Sequence, residues 1–325
     1  MHAGFHYFAD AGMTSSYSAI LTTILPVFIT FGSGFVLRWL GKLNRASDAS
    51  LMTLAVNFLY PCLIADIVLK SSALDQTSNL IGAPIAGAAL LAGSFGVAAL
   101  VARLLRLGRP QPASTFTFTA ALPNYGYLPI PLIQALYHDG TTGVLFVHNI
   151  GLELTMWSLG IWILCGERSW RRILNVPFFA ILAALALKLL HAGEHLPTFA
   201  LESLHSMGQA AIPLSLILAG ASLADALSQG GVLGDLRSTI VGCAVKLLLL
   251  PPLVILAAKW APCSLELKRV LVMQAAMPCA MVPIILARLY RGDGGTAVRI
   301  VVGTTIVGLF TIPLWLRVGA QFVGL

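Results

Sequence analysis

The stretch Ala120-Ala121-Leu122-Pro123-Asn124-Tyr125-Gly126-Tyr127-Leu128-Pro129-Ile130-Pro131 sits inside an apolar run from 113 to 136. A second stretch, Ala275-Ala276-Met277-Pro278-Cys279-Ala280-Met281-Val282-Pro283, sits inside another run from 268 to 288. Each opens with Ala-Ala-x-Pro, carries a further proline (Pro129, Pro283) and reaches a Leu-Tyr pair (Leu136-Tyr137, Leu289-Tyr290). Each then ends in Asp-Gly-x-Thr-x-Val, beginning at Asp139 in one copy and at Asp293 in the other. An interior proline removes a backbone hydrogen bond and costs about 3 kcal/mol in a regular helix. In hydrocarbon the freed groups persist only where protein or a cavity satisfies them again. Both runs are therefore expected to break near mid-membrane, where half-helix N-termini offer N–H groups and positive dipole ends to an anion. Ordinary proline kinks are the competing reading. Matched interruptions in two halves of one chain favour the binding site of a secondary transporter.

Composition supports a membrane setting. Of 325 residues, 58% are hydrophobic and only 10% charged, against about 25% charged in soluble domains. That leaves too little polar surface to cover a globule, and runs of about 20 residues point to helices rather than barrel strands. The net charge of +7 raises nucleic acid as a partner, but Lys and Arg cluster in alternate loops, the positive-inside pattern. Cys62, Cys165, Cys243, Cys263 and Cys279 have neither metal-site nor disulfide spacing, so no metal and no cofactor are expected. Hydrolase, zincin and phosphate-loop motifs are absent, so nothing nominates an enzyme. Residues 1–17 lack a basic stretch before an apolar core and read as a tail rather than a cleavable signal.

Ten spans can be drawn, over 18–37, 51–69, 80–102, 113–136, 141–164, 174–190, 208–226, 238–258, 268–288 and 298–318. Arg38, Lys42, Arg45, Arg103, Arg106, Arg109, Arg168, Arg171, Arg172, Arg237, Arg288, Arg291 and Arg299 fall on one side, thirteen in all. Lys70, Lys188, Lys259, Lys268, Arg269 and Arg317 make six on the other. The arginine-rich side is expected to be cytoplasmic, with both termini extracytoplasmic, in a cell (inner) membrane. Prolines recur at a near-constant offset: Pro26 with Pro177, Pro61 with Pro213, Pro123 with Pro278, Pro129 with Pro283. Five spans per half reverse the direction of travel, so the second half enters inverted. The expected fold is all-α: a tail (1–17), a five-helix repeat (18–164), a short cytoplasmic linker (165–173) and an inverted five-helix repeat (174–325), with spans 4 and 9 broken.

Polar residues inside spans are costly and default to functional candidates. Glu153 is the acid nearest the centre of any span, close to His148 and Asn149. It could exchange a proton, ligate Na⁺, or partner Lys246 or a neighbouring amide. Lys246 lies eight residues into its span, about 12 Å along the axis, and could attract an anion or neutralise carbonyls at a break. Asn57, Gln134 and Gln274 could line the same cavity or bond between helices. Asp66 is expected to reach the interface, Gly32, Gly34, Gly93 and Gly96 to permit close helix approach, and Trp39, Trp260 and Trp315 to anchor span ends.

These residues together resemble the auxin efflux carrier family, which includes plant PIN auxin carriers and bacterial malate or malonate permease-like proteins. The likeness rests on Asn57-Phe-Leu-Tyr-Pro61, on Asn124-Tyr-Gly126-Tyr-Leu-Pro129-Ile-Pro131, and on Ile212-Pro213-Leu-Ser-Leu-Ile-Leu-Ala-Gly220-Ala-Ser-Leu. It rests also on Val245-Lys246-Leu247 with Pro251, and on Gln274-Ala-Ala-Met-Pro278 through Tyr290 and Asp293. The resemblance implies spans 4 and 9 crossing at the substrate site, a scaffold domain that mediates homodimers, and a transport domain moving against it. It implies transport of small organic anions across the lipid bilayer. Pro129 stands where the first motif usually has glycine, and Cys279 where plant members usually carry glutamine. The short connection between spans 5 and 6 resembles prokaryotic members. The expected substrate-binding set is Pro123, Asn124, Gly126, Pro129, Met277, Pro278, Cys279 and Lys246. The ion-coupling set, for H⁺ or Na⁺, is Glu153, Asn149, Asn57 and Gln274.

Overall fold

The structure, a computed structural model, describes residues 17–107, 111–137, 140–166, 175–228 and 236–325. Most of the tail and linker, Asp139, Arg109, Arg168, Arg171 and Arg172 lie outside the described residues. The described chain is helical, and its one strand-type pairing is an isolated bridge between Pro123 and Cys279. Seven stretches are long and apolar enough to cross a membrane. They are α1 (Tyr17–Trp39), α2 (Arg45–Leu54) continued by α3 (Tyr60–Lys70), α4 (Thr77–Leu104), α7 (Thr141–Thr155) with α8 (Ile161–Cys165), α10 (Thr198–Ser228), α11 (Leu236–Ala244) with α12 (Leu250–Trp260), and α15 (Gly294–Val323). Two interrupted pairs lie between them: α5 (Gln111–Ala121) with α6 (Pro129–Leu136), and α13 (Leu265–Ala276) with α14 (Val282–Leu289). A shorter apolar helix, α9 (Val176–Leu189), completes the set.

The joins inside the long stretches are single π turns: Ala55–Leu59, Met156–Gly160 and Val245–Leu249. Proline accounts for two of them. Pro61 and Pro251 follow directly, and neither can donate to the carbonyl four residues back. The wider turn moves bonding one residue further, as Tyr60 N–H donates to Ala55 and Leu250 N–H to Val245. The Leu247 carbonyl, four residues before Pro251, accepts instead from the Trp315 indole at 2.7 Å. Trp315 is thus not an interfacial anchor, unlike the exposed Trp39 and Trp260 at the ends of α1 and α12.

Packing sorts the helices into two bundles. In the first, α1 lies against α10, and α3 against α9 and α10; in the second, α4, α5, α7, α8 and α11–α15 pack together. Among the described residues three helix pairs approach backbone to backbone: α3 with α10 at Gly208, and two closer ones. A Cβ on Gly34 of α1 would lie 1.9 Å from the Ile217 carbonyl oxygen of α10, and one on Gly151 of α7 would lie 1.8 Å from the Pro84 carbonyl oxygen of α4. Gly32, Gly93 and Gly96 have open space around them, so of the four glycines expected to permit close approach only Gly34 does so. Asp66 does not reach the interface. It is buried, and binds Lys70 and, at 2.8 Å, His205 Nδ1 of α10, which ties α3 to α10.

Candidate functional site at the helix crossing

The two interruptions form where the prolines require them. Leu122 and Met277 each precede a proline, which pushes the preceding residue out of helical geometry. Met277 is extended accordingly (φ −72°, ψ 140°) and ends α13. Pro129 and Pro283 then occupy the first turns of α6 and α14, where a missing N–H is harmless and the fixed φ suits the helix.

Between these ends the two extended segments run antiparallel and bond to each other. The Asn124 N–H donates to the Pro278 carbonyl at 2.8 Å, and the Ala280 N–H to the Leu122 carbonyl at 3.0 Å. Groups freed by one break are satisfied by the other, which answers the requirement that no backbone polar group stay unpaired in hydrocarbon. Asn124 Oδ1 accepts from the N–H groups of Tyr127 (3.1 Å) and Leu128 (3.5 Å), closing the turn into α6. The Cys279 N–H donates to Thr304 Oγ1 of α15 at 3.3 Å.

A cavity of about 320 Å³ adjoins the crossing at the seam between the bundles. The first bundle supplies Asn57, Tyr60 and the start of α9 from Asn175 to Phe178. The second supplies Asn124 to Tyr127, Asn149, Glu153, Trp157 and Ala280 to Val282. Three helices therefore begin at its wall: α6, α9 and α14, each directing its positive end there. Aromatic and aliphatic side chains make up most of the remaining surface, and among the described residues no Lys or Arg lines it.

Glu153 is the cavity's carboxylate. Its oxygens accept from the Tyr125 hydroxyl (3.0 Å), the Trp157 indole (3.0 Å) and the Asn175 amide (3.1 Å). Asn175 has a second task, because its Oδ1 caps α9 by accepting from the Phe178 N–H at 2.9 Å. One amide thus links the start of α9, in the first bundle, to Glu153 in the second. Asn149 donates to the Tyr125 carbonyl at 2.9 Å, steadying the same break.

The structure brings Asn57, Asn124, Gly126, Asn149 and Glu153 together on this cavity. Pro123, Met277, Pro278 and Cys279 form the crossing behind it, Pro129 opens α6, and none of the five is in its lining. Lys246 is outside the cavity lining and does not meet Glu153, but it stands at the crossing, close enough to Cys279 to interact with it. Its buried ammonium donates to the Ala121 carbonyl at 3.3 Å, at the C-terminus of α5, where the helix dipole is negative. Gln274 is buried one turn before Met277, with no hydrogen-bond partner on either amide atom among the described residues. Tyr125, Trp157 and Asn175 were not singled out in the sequence. The signals were there: Trp157 is four residues after Glu153, and Asn175-Val-Pro177 reads as an N-cap before an early helical proline.

The chain is 26% identical over 305 residues to an uncharacterized transporter of Methanothermobacter thermautotrophicus, an alignment covering 90% of this chain and 96% of the relative. A family model described as membrane transport protein matches residues 19–169 and 161–316. The chain is thus a multi-pass membrane protein that belongs to the membrane transport protein family, that of the auxin efflux carriers its motifs resemble.

Proposed function

We propose that this protein is a secondary active transporter of a small organic anion, a carboxylate, working by alternating access. In this reading the seven long stretches, the two interrupted pairs and α9 make ten crossings. They fall into inverted repeats over 18–164 and 174–325, joined by a short cytoplasmic linker, with both termini extracytoplasmic in the cell (inner) membrane. The observation that carries the reading is the convergence of three helix N-termini and the Asn124 amide on one cavity at the bundle seam. Oriented dipoles of this kind favour a carboxylate head without a cationic side chain. The apolar remainder of the wall accepts a hydrocarbon body. Movement of the second bundle against the first, which serves as scaffold and as the surface for homodimer contact, exposes the cavity alternately to the two sides.

Lys246 serves from behind in this scheme, holding the C-terminal carbonyl of α5 so that the break keeps its shape. Glu153 is the proton-coupling group, since its bond to Asn175 spans the seam and changes character when the carboxylate is neutralised. Na⁺ coupling is the second reading, favoured by the buried, unbonded amide of Gln274, because such groups are rare without an ion or water.

The test is flux in proteoliposomes with malate, malonate and phenylacetate as separate probes. Saturable uptake of one of them, driven by an imposed pH gradient, is expected, and Glu153→Gln should keep saturability while losing the response to that gradient. Uptake that rises linearly with concentration and ignores every imposed gradient would point to a channel and refute the proposal. Uptake driven by Na⁺ alone would select the second reading.

A further inference from the structure

A second cavity, of about 200 Å³, lies on the same seam. Met52 of α2, and Ala219, Ser222 and Asp225 of α10, line it from the first bundle; Ile285 and Arg288 of α14 line it from the second. It shares Tyr127, Met281 and Val282 with the larger cavity, so the two abut across one wall. The Tyr127 hydroxyl crosses the seam in that wall and meets Met52 Sδ at 3.5 Å.

We propose that the second cavity is a transit site for the carried organic anion, and that the Tyr127 side chain is the door between it and the larger cavity. This rests on the transport reading above and adds a route to it. The charges around the second cavity suit an anion. Asp225 is engaged by Arg45 at 3.0 Å and by Arg38 at 3.6 Å, and Arg38 also binds Asp48. The carboxylate in its lining is thus already held by two guanidinium groups, and Arg288 brings a third to the wall, where an anion would enter or leave.

The door is built to move. Tyr127 is not part of a helix; it lies in the break, and its backbone N–H is held by Asn124 Oδ1. Its ring therefore follows the crossing, whereas Met52 belongs to the first bundle. Thioether sulfur is a weak acceptor, so this contact closes the seam without locking it. A shift of the crossing against α2 parts the hydroxyl from the sulfur and joins the cavities.

Thiol accessibility tests this without a known substrate. Ser222→Cys and Ile150→Cys place a thiol in the second and first cavity respectively, and no native cysteine lines either. The probes are anionic 2-sulfonatoethyl and cationic 2-trimethylammonioethyl methanethiosulfonate, added from the arginine-bearing face and normalised to a free thiol. Ser222→Cys should react several-fold faster with the anionic probe, and Arg288→Gln should erase that preference. Ile150→Cys should react at least tenfold more slowly than Ser222→Cys, and adding Tyr127→Ala should raise its rate at least tenfold. Met52→Ala, which removes the other half of the contact, serves where Tyr127→Ala fails to fold. Fast reaction of Ile150→Cys with the door intact, no response to its removal, or a cationic preference at Ser222→Cys would overturn the proposal. None of these outcomes depends on the carboxylate flux assay, so either claim can fail while the other stands.

Discussion

Asn124 carries two separable duties, and a pair of substitutions distinguishes them. Its Oδ1 accepts from the Tyr127 and Leu128 N–H groups, while in the proposed function its amide N–H₂, on a residue that lines the cavity, donates to the carboxylate. Asn124→Ala removes both and leaves backbone donors unpaired, at about 1–3 kcal/mol for each buried group. Asn124→Asp keeps the acceptor but exchanges the donor for a second carboxylate oxygen, so charge repulsion adds to the lost bond and the figures that follow are lower bounds on the weakening. A hydrogen bond to a charged partner contributes about 1.5–3 kcal/mol, so Asn124→Asp should weaken carboxylate binding by roughly 10- to 150-fold. Ligand at about 100 times its Kd stabilises the wild-type protein by about 2.7 kcal/mol. The same concentration should stabilise Asn124→Asp by about 1.4 kcal/mol at the mild end of that range and about 0.3 at the severe end. Thermal unfolding of purified protein, with and without the carboxylate identified in flux assays, reads both effects. Without ligand, Asn124→Ala should unfold below wild type and Asn124→Asp near it. Undiminished ligand stabilisation of Asn124→Asp would show that the amide donates to nothing the protein carries, and the site would have to be moved.

Lys246→Met should preserve expression and helix content yet lower transport at least tenfold, because the Ala121 carbonyl loses its cationic donor and the α5 end shifts by a fraction of an ångström; unchanged flux would reduce the lysine to a packing residue. Gly151→Leu should prevent folding, since even a Cβ meets the Pro84 carbonyl oxygen at 1.8 Å, whereas Gly93→Leu, facing open space, should be tolerated; comparable yields of both in detergent would contradict the packing. Asp293 caps α15 through Thr296, and Asp293→Ala should destabilise by about 1 kcal/mol. Burial pushes the Asp293 carboxyl up, but the Thr296 hydroxyl and N–H, with Arg299, outweigh it and hold the group below its ordinary value of 3.8. Its charge therefore stabilises the folded state fully above that value, and the contribution is lost as pH falls through the lower folded-state value. The stability gap between wild type and Asp293→Asn should accordingly close on acidification from pH 5 to pH 3; a gap that widens would reverse the sign of the argument.

What could be read from the sequence was whatever the covalent chemistry of a residue dictates locally. Proline has no N–H and restricts its predecessor, so the breaks at Pro123 and Pro278 are visible as letters. Asp293-Gly-x-Thr296 is likewise a cap in its own right, and the structure uses it to start α15. What could not be read depends on how helices are turned about their axes. Nothing local shows that Gly34, and not Gly32 two residues earlier, faces a neighbouring backbone. Nor does spacing reveal that Lys246 meets a carbonyl 125 positions away instead of Glu153. Trp315 misled for a related reason: its position near a span end suggests an anchor, yet its indole supplies the donor that Pro251 withholds from Leu247. Asn175 was not legible because it stands at a span end, where its side chain reads as a helix cap, and nothing local shows that the same amide also crosses the seam.

The junction of the halves is made of peptide groups, Asn124 N–H with the Pro278 carbonyl and Ala280 N–H with that of Leu122. Side chains there that make no bond of their own, such as Leu122 and Ala280, can drift over evolutionary time without breaking these bonds, provided Asn124 and the two imino acids persist. Descendants of one scaffold can thus acquire new cargo by recolouring the surrounding walls while the hinge itself stays untouched. Adding or deleting a single residue beside either imino acid is a different matter, because it misaligns the donors and acceptors together.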